Sequence, residues 1–332
     1  MLKEKVNISK IAKDLRLSIS TVSRALSGKG RVSEGTRQQI LEYLGEKQLV
    51  PNTREKRYTD VFTGIIAVTI PEEEDFAFMP YFQHILFSAY DFFSIRGYQV
   101  VPVKTSSENI RNLKRAVEKH LMDGVIISRR VENLLEIELL KEYGVPFVVI
   151  GSTEDTELLQ VEVDHERAAH DLTNALLHMG YYKMAVMCAE KKHPVNRKRY
   201  KGILAAHIEN YMILDSDFVF YEMESNDIAE LAVEKILAAN LDCILCMDDN
   251  ICLNVLHILQ KRQISIPQTI RIASLHNSGM LEKWCPSITC VNYDVDALGK
   301  EASRVLYSFL TENKKMPKRI LGFEVQMKES TN

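Results

Sequence analysis

The chain has 332 residues, of which 46% are hydrophobic and 26% are charged, and a chain of this length ordinarily forms about two domains. The composition is that of a globular protein with a sizeable core, and it excludes a mainly disordered chain, a collagen and a disulfide-stapled scaffold. Every apolar stretch is far shorter than the roughly 18 residues of a membrane-spanning helix. The N-terminal residues are charged, unlike a secretory signal. We therefore expect a cytoplasmic protein that does not bind a membrane.

Charge is distributed unevenly along the chain. Residues 1–57 hold 13 Lys and Arg against 6 Asp and Glu, whereas the remaining residues hold 29 against 39. A basic N-terminal segment on an acidic body is typical of a segment that binds a polyanion such as nucleic acid. Because clustered charge is more often a solvated face, the segment also needs a recognisable motif.

Hydrophobic spacing in the first 50 residues predicts three short helices. The first carries an apolar stripe from Ile8 to Leu15, Ser18 is placed to cap the second, and Ser33 is placed to cap the third. Three short helices with a tight turn between the first two describe a helix-turn-helix, whose second helix enters the major groove of DNA. The alternative is a three-helix domain that docks a protein, which the positive charge makes less favourable.

The second of these helices presents side chains that suit DNA. Arg24 can donate two hydrogen bonds to guanine, Ile19 can pack on a thymine methyl group, and Ser20 can reach a base edge. Thr21 and Ser23 carry short hydroxyls that suit phosphate oxygens. We therefore predict a DNA-binding surface on this helix.

From Gly64 onward, short continuous apolar runs alternate with stretches of helical periodicity. Such runs predict buried parallel strands, at Gly64–Ile70, Val100–Val103, Gly124–Ile127, Phe147–Ile150, Val161–Val163, Ala185–Cys188, Phe218–Tyr221, Ile244–Cys246 and Ile270–Leu275. We assign the first four runs to one lobe and the runs from Val161 onward to a second. The predicted fold is a small all-α helix-turn-helix domain followed by an α/β body of two doubly wound parallel-sheet lobes, with a ligand in the cleft at the carboxyl ends of the strands.

Motifs for catalysis or metal binding are weak. Cys243 and Cys246 are the one cysteine pair with ligand-like spacing, but the residues between them are apolar and no second pair matches. His165 and His170 are five residues apart, which turns them away from a common helix face, so they cannot hold zinc as a helical pair does. No Walker A, Gly-x-Ser-x-Gly or Gly-x-Gly-x-x-Gly segment is present. We predict no enzyme activity, no metal and no cofactor.

Four segments of the N-terminal domain have a specific order and spacing. They are Ile-Ser-Lys-Ile-Ala-Lys-Asp-Leu at residues 8–15, Ser-Thr-Val-Ser-Arg-Ala-Leu at residues 20–26, Gly-Arg-Val-Ser-Glu-Gly-Thr-Arg at residues 30–37, and Pro51-Asn52. These segments resemble the DNA-binding head of the lactose/galactose-repressor (LacI/GalR) family. The resemblance implies a homodimer whose two heads bind a palindromic operator in double-stranded DNA. It also implies contacts with bases by Ile19, Ser20 and Arg24, and with phosphates by Ser9, Ser18, Thr21 and Ser23.

The N-terminal domain departs from the family pattern at two places. Arg16 occupies the turn before the second helix, where the family usually has Gly, at a cost of about 1 kcal/mol if the backbone there is strained. The linker lacks the apolar Leu that the family inserts into the minor groove, and the resemblance places the hinge residues at Asn52, Arg54 and Tyr58.

The body resembles the sugar-binding-protein-like body of the same family, which is a periplasmic-binding-protein-like fold. The similarity is carried by Met122–Ile127, Gly144–Pro146, Val163-Asp164, Ile266-Pro267 and Pro286–Thr289, in this order. We therefore place a helix-turn-helix domain at residues 1–50, a hinge at residues 51–63, and an effector-binding and dimerisation body at residues 64–327. The predicted first lobe covers about 64–160 and 292–316, and the second covers about 161–291 and 317–327.

The resemblance places four residues on a small effector, expected to be a carbohydrate. Arg199 belongs to an Arg-x-x-Gly segment whose guanidinium donates to ligand hydroxyls, and Asp249 supplies the acceptor. Tyr81 covers an apolar ring face. His276 and Gly151 stand where the family often has Asp, so the identity of the effector is not inferred from better-known relatives.

Alternatives remain open for the same segments. Arg199 and Asp249 form a surface ion pair or a helix cap in the simpler interpretation, and Phe82 and Trp284 are better explained by packing. The cluster Arg197-Lys198-Arg199 with Lys201 either binds a phosphorylated ligand or is solvated loop charge, and we favour the latter.

The function predicted from the sequence is a DNA-binding transcriptional regulator, expected to be a repressor, controlled by a small ligand bound between the lobes. The alternative, motivated by Gly151 and His276, is a DNA-binding regulator whose body docks a protein partner instead of a metabolite.

Overall fold

A computed structural model describes residues 8–27, 32–33, 35–36, 38–40, 43, 62–72, 80–130, 132–151, 153, 155–190, 193–223 and 225–332. The chain divides into two compact units, Met1–Phe62 and Thr63–Asn332, which we call the head and the body. The predicted hinge residues Asn52, Arg54 and Tyr58 lie outside the described residues. No helix in the described parts of the chain is both long enough and apolar enough to cross a membrane.

The head contains the predicted helices. They are α1 (Ile8–Asp14), α2 (Ile19–Ser27) and α3, whose described helical residues are 35–36, 38–40 and 43. The buried core of the head consists of Ile11, Ala12, Val22, Ala25 and Ile40. Both predicted caps are confirmed, because Ser18 Oγ accepts from the Thr21 amide at 3.0 Å and Ser33 Oγ accepts from the Thr36 amide at 3.3 Å.

The turn between α1 and α2 is strained at Arg16, as its departure from glycine predicted. Arg16 has a left-handed backbone with φ of 53°. Its amide donates to the Lys13 carbonyl at 3.3 Å, and the Leu17 amide donates to the Ala12 carbonyl at 2.9 Å. These two bonds form a Schellman motif, in which the left-handed position is usually glycine. Arg16 therefore occupies a left-handed position that glycine adopts most easily.

The body contains two six-stranded sheets. The first has the order β2-β1-β3-β4-β5-β11 and is parallel throughout. Its strands are β1 (Ile65–Pro71), β2 (Gln99–Thr105), β3 (Gly124–Ile127), β4 (Phe147–Ile150), β5 (Leu159–Val163) and β11 (Arg319–Leu321). The helices that pack on this sheet are α4 (Pro80–Ser94), α5 (Arg111–Glu118), α6 (Leu135–Tyr143) and α11 (Val295–Glu312). We call this sheet with its helices the first lobe.

The second sheet has the order β7-β6-β8-β9-β10-β12, in which only β12 is antiparallel to its neighbour. Its strands are β6 (Met184–Met187), β7 (Val219–Phe220), β8 (Cys243–Cys246), β9 (Arg271–Ser274), β10 (Thr289–Asn292) and β12 (Glu324–Gln326). Its helices are α7 (His165–His178), α8 (Pro194–Glu209), α9 (Asn226–Ala238) and α10 (Asp249–Lys261). We call this sheet with its helices the second lobe.

Alternate residues of the central strands enter two different hydrophobic clusters. In β8, Cys243 and Leu245 belong to a cluster that continues into the first lobe, whereas Ile244 and Cys246 belong to the cluster under α9 and α10. Both faces of the strand are therefore buried, which is why the run is apolar throughout and does not alternate with polar residues. The same burial accounts for the cysteines of this run, which behave as small hydrophobes.

Several predicted assignments are wrong. The sequence predicts Val161–Val163 in the second lobe, but this run belongs to β5, which pairs with β4 in the first sheet through Val161 and Ile150. Residues 317–327 were also placed there, yet β11 pairs with β5 and only β12 joins the second sheet. Hydropathy predicts that a run is a strand but not which neighbour it pairs with, so the lobe boundary was misplaced. Val100–Val103 lies in β2, an edge strand that is only half-buried and not a buried strand as predicted. The sequence did not predict β10 as a strand.

The folded body also extends beyond the predicted end at residue 327. Ser330 and Thr331 are fully buried. Ser330 Oγ donates to the Ile272 carbonyl at 2.7 Å and accepts from the Thr289 amide at 2.9 Å. The C-terminal residues are therefore part of the second lobe, although their polar composition gave no hydrophobic signal.

Candidate functional site

The carboxyl ends of strands from both lobes surround one cavity of about 270 Å³. This is the position where ligands bind in doubly wound sheets. The lining residues that directly follow or end a strand are Arg129 and Arg130 after β3, Gly151 after β4, Glu162 and Val163 in β5, Asp248 and Asp249 after β8, His276 after β9, and Tyr293 after β10. The four predicted effector residues, Tyr81, Arg199, Asp249 and His276, all line this cavity.

Arg199 is anchored inside the second lobe. It lies on α8, is 5% exposed, and donates from Nη1 to the Met247 carbonyl at 2.5 Å. Its Nε is buried without a hydrogen-bond partner. Among the described residues no carboxylate forms an ion pair with it, so the surface ion pair considered from the sequence is wrong. The guanidinium is therefore a donor that is held in place at the wall of the cavity.

The glycine of the Arg-x-x-Gly segment has a packing role. A Cβ atom on Gly202 would lie 2.0 Å from the Glu166 carbonyl oxygen of α7. Only glycine lets α8 approach α7 this closely, because any side chain would require a backbone shift. Gly202 therefore sets the position of α8, and with it the position of Arg199.

Asp248 and Asp249 have different roles. Asp248 caps α10, with its Oδ1 accepting from the Ile251 amide at 2.9 Å, and burial raises its pKa. Asp249 lies 2.6 Å from His276 Nδ1 through its Oδ1. Burial alone would raise the pKa of Asp249, but the charge and hydrogen bond of His276, with a hydrogen bond from Ser278, lower it to about 2. The cap of α10 is therefore Asp248, so the helix-cap interpretation of Asp249 is wrong.

Aromatic rings form one wall of the cavity. His276 stacks on Tyr293 with ring centroids 5.0 Å apart, and Tyr81 meets His276 edge to face at 6.0 Å. Burial raises the pKa of Tyr293 to about 12. His276 Nε2 is buried without a partner, so this ring offers a second polar atom that a ligand can satisfy. Tyr81, His276 and Tyr293 also line a neighbouring cavity of about 290 Å³.

His165 also lines the cavity, although the sequence suggested no role for it beyond the weak metal motif with His170. Its ring lies edge to face with Tyr293 at 5.6 Å and lines the cavity. Burial, followed by the positive charges of Arg199, His276 and Lys198, holds the pKa of His165 well below its usual value. The available signal was its place two residues after β5, because the first turn after a strand faces the ligand edge of a parallel sheet.

Two ion pairs join the lobes beside the cavity. Arg197 pairs with Glu132 at 3.0 Å, and Lys198 pairs with Glu162 at 2.9 Å. Both cations lie on α8 of the second lobe, and both carboxylates belong to the first lobe. The cluster from Arg197 to Lys201 is therefore helical and not a solvated loop, and of its four cations Lys198 and Arg199 line the cavity.

Trp284 stacks on His257 with ring centroids 5.0 Å apart, in agreement with the packing role expected for it.

The head presents the predicted DNA-binding residues on α2. Ile19 is 58% exposed, and Ser20 and Arg24 are exposed. The Ser18 hydroxyl lies 2.8 Å from that of Ser20 and 2.7 Å from that of Thr21. Ser9 and Ser23 lie on α1 and α2, but their side chains are outside the described part of the head. The assignment of these residues to bases and phosphates stays a prediction.

The chain is similar to known regulators of transcription. Residues 173–331 match the family described as periplasmic binding protein-like domain. Catabolite control protein A of Staphylococcus xylosus is 23% identical over 317 residues, which cover 92% of this chain and 93% of that protein. The HTH-type transcriptional regulator DegA of Bacillus subtilis is 23% identical over 338 residues, with 99% and 98% covered.

Solved structures share the fold. A complex of the transcriptional regulator CelR with cellobiose has a TM-score of 0.74 at 23% identity, covering 98% of this chain and 100% of that chain. The transcription regulator CcpA of Lactococcus lactis has a TM-score of 0.72 at 22% identity, covering 82% and 100%. The relatives over nearly the whole length of the chain are transcriptional regulators, and the fold is shared with LacI-family regulators of known structure, which agrees with the resemblance to the LacI/GalR family.

Proposed function

We propose that this regulator is a repressor whose affinity for its operator is set by a small carbohydrate or carbohydrate derivative bound between the two lobes. The observation that carries the proposal is the buried polar set formed by Arg199 and the Asp249–His276 pair. Arg199 Nε and His276 Nε2 have no partner in the described residues. Buried polar groups without partners are costly unless a ligand or water satisfies them.

The chemistry of the cavity supports a carbohydrate. A guanidinium donor and an ionised carboxylate acceptor can bracket neighbouring hydroxyls, and the rings of Tyr81 and Tyr293 can cover an apolar sugar face. The similar fold of the CelR–cellobiose complex gives independent support. The alternative of protein docking was motivated by Gly151 and His276. Both line the cavity at the carboxyl ends of the strands, which favours a small molecule.

The head supplies the DNA contact in this proposal. Two copies of α2, presented by a homodimer, enter successive major grooves of a palindromic operator. Ile19, Ser20 and Arg24 read bases, and the residues after Pro51 form the hinge. The effector changes the closure of the two lobes and thereby the operator affinity, a coupling that is typically about 1–3 kcal/mol.

The test uses an operator selected from random DNA by the full-length protein, with binding followed by fluorescence anisotropy. We expect Arg24→Ala to reduce operator affinity by about tenfold or more and to relax the preference at one base pair of each half-site. Asp249→Asn is the matched control, because it leaves the head unchanged and should lose only the response to effector. Unchanged sequence preference in Arg24→Ala would refute the assignment of α2, and a monomer in sedimentation would refute the paired-head mechanism.

A further inference from the structure

A second cavity lies beside the central one, and the proposed function leaves it without a role. This neighbouring cavity has a volume of about 290 Å³, close to the volume of about 270 Å³ of the central cavity. The rings of Tyr81, His276 and Tyr293 line both cavities. The two spaces are therefore of similar size and share one aromatic wall.

The neighbouring cavity lies between the lobes. The first lobe contributes His84 from α4 and Asp296 from α11, and the second lobe contributes Asn277 after β9 and Gln326 from β12. A ligand in this cavity therefore contacts both lobes, as a ligand in the central cavity does. Such a ligand can shift the relative position of the lobes if its contacts differ between their arrangements.

The shared wall combines rings from the two lobes. His276 and Tyr293 are each less than one-tenth exposed and stack with ring centroids 5.0 Å apart. Tyr81 lies on α4 of the first lobe and meets His276 edge to face at 6.0 Å. Because Tyr81 alone of these rings belongs to the first lobe, a movement of the lobes changes the separation between the two cavities. Pro80 and Val295 add apolar surface on the side of the neighbouring cavity.

The polar groups of the neighbouring cavity suit hydroxyl groups. Three of its lining side chains are the amides of Asn277, Asn292 and Gln326, each of which carries donors and an acceptor. Two more are the carboxylates of Glu282 and Asp296. Among the described residues that line it there is no lysine or arginine. A sugar hydroxyl both donates and accepts, so this set matches a neutral hydroxylated ring better than a phosphate, which favours cationic donors.

Asp296 is an acceptor on the side of the first lobe. Its Oδ1 accepts from Ser88 Oγ at 3.0 Å and lies 3.0 Å from His84 Nδ1. Burial raises the pKa of Asp296, but the hydrogen bonds of His84 and Ser88 outweigh burial and lower it overall. Its Oδ2 forms no hydrogen bond with the described part of the protein. The side chain is therefore held in place by one oxygen, and the other can accept from a ligand hydroxyl.

Glu282 is the corresponding acceptor on the side of the second lobe. Its Oε2 accepts from Lys328 Nζ at 2.8 Å and from Asn277 Nδ2 at 2.7 Å, and these bonds lower its pKa, with Lys328 contributing most. Within the described residues, neither Glu282 Oε1 nor the side chain of Asn292 forms a hydrogen bond. The cavity therefore offers acceptors from both lobes together with an amide that can donate and accept.

We infer that the neighbouring cavity is a second carbohydrate subsite, which binds a neutral hydroxylated ring beside the ring in the central cavity. The second ring is either the other unit of a disaccharide that extends past Tyr81 or a separate monosaccharide. The inference rests on the proposed function in one respect, namely that the central cavity binds a carbohydrate. It assigns a further unit of ligand to the side chains of Asn292, Gln326 and Asp296.

The test is calorimetric titration of the full-length protein with matched saccharides. The panel contains glucose, galactose and mannose, and the disaccharides cellobiose, maltose, lactose and mannobiose. We expect a disaccharide to bind at least about tenfold more tightly than its monosaccharide units, with one molecule per chain. Binding of two molecules of one monosaccharide per chain would instead identify the second ring as a separate molecule.

Variants assign the second ring to the neighbouring cavity. Asn292→Ala and Gln326→Ala should each weaken the disaccharide, or the second monosaccharide, by about fivefold and leave binding in the central cavity unchanged. Both side chains line only the neighbouring cavity and are partly exposed, so both variants should fold. Gln260→Ala is the matched control, because it removes an amide from an exposed position of α10 that lines neither cavity.

Three results would overturn the inference: a disaccharide that binds no more tightly than a monosaccharide bound once per chain, a second ring whose affinity is unchanged in both Asn292→Ala and Gln326→Ala, or no binding of any saccharide in the panel. The proposed function fails separately. If one monosaccharide binds through Asp249 and changes operator affinity, the function stands and the second subsite is wrong. If a second ring binds through Asn292 without any change in operator affinity, the inference stands and the function is wrong.

Discussion

The two lobes contribute to the central cavity in different ways. The second lobe supplies Arg199, Asp249, His276 and Tyr293, each less than one-tenth exposed and each held by a neighbour on its own lobe. The first lobe supplies mainly partly exposed side chains, among them Tyr81, Phe82, Arg129 and Arg130. The second lobe therefore presents a preorganised set of donors and acceptors, and the first lobe presents groups that can adjust to the ligand. This contrast suggests that recognition starts on the second lobe and closure involves the first.

The largest expected effect comes from a substitution that disturbs the packing of the second lobe. Gly202→Ala should lower the free energy of unfolding by about 3 kcal/mol, because the added Cβ would overlap the Glu166 carbonyl oxygen and force α7 and α8 apart. The same shift displaces Arg199, so effector affinity should fall as well. Urea unfolding and calorimetric titration measure the two effects.

Gly322→Ala is the matched control for this substitution. Gly322 lies between β11 and β12, and a Cβ atom there meets no atom within 4 Å. We expect its stability to stay near that of the unchanged protein. If Gly202→Ala were equally harmless, α8 would not be fixed by contact with α7, and the preorganisation of Arg199 would need another explanation.

The ionised state of Asp249 is expected to have an effect of intermediate size on the free energy of unfolding. The pKa of Asp249 is about 2 in the folded protein and 3.8 in the absence of shifts, which corresponds to about 2 kcal/mol of stabilisation. Because the folded pKa is the lower one, this stabilisation is present above about pH 4–5 and is lost as the pH falls towards 2. The destabilisation of Asp249→Asn, measured by urea unfolding, should therefore shrink over that range.

The exposed Asp227 of α9 provides the control substitution, Asp227→Asn, in the same experiment. A difference between Asp249→Asn and the unchanged protein that stayed constant from pH 5 to the acid limit would mean that Asp249 is not held ionised by His276. The second lobe would then lack its preorganised acceptor.

The sequence was more informative about the second lobe than about the first. Arg199 and Asp249 belong to short segments that resemble the family pattern, and both line the cavity. Arg129 and Arg130 follow an equally clear strand, but nothing in their local pattern separates cavity arginines from solvated ones. The pairing of β5 and β11 was mispredicted for a related reason: sheet membership depends on contacts between residues that are distant in the chain, and hydropathy does not encode them.

The smallest expected effect concerns the ion pairs between the lobes. Measuring these pairs tests whether weak contacts hold the first lobe against the second. Glu162 is buried between two lysines, whereas Arg197 and Glu132 are about half exposed. A double-mutant cycle with Lys198→Ala and Glu162→Gln should give a coupling energy of about 1 kcal/mol, and a cycle with Arg197→Ala and Glu132→Gln should give about 0.3 kcal/mol. Both cycles are measured by urea unfolding without ligand. If the exposed pair coupled as strongly as the buried one, closure would depend on the whole charged face of α8, and the first lobe would be as firmly placed as the second.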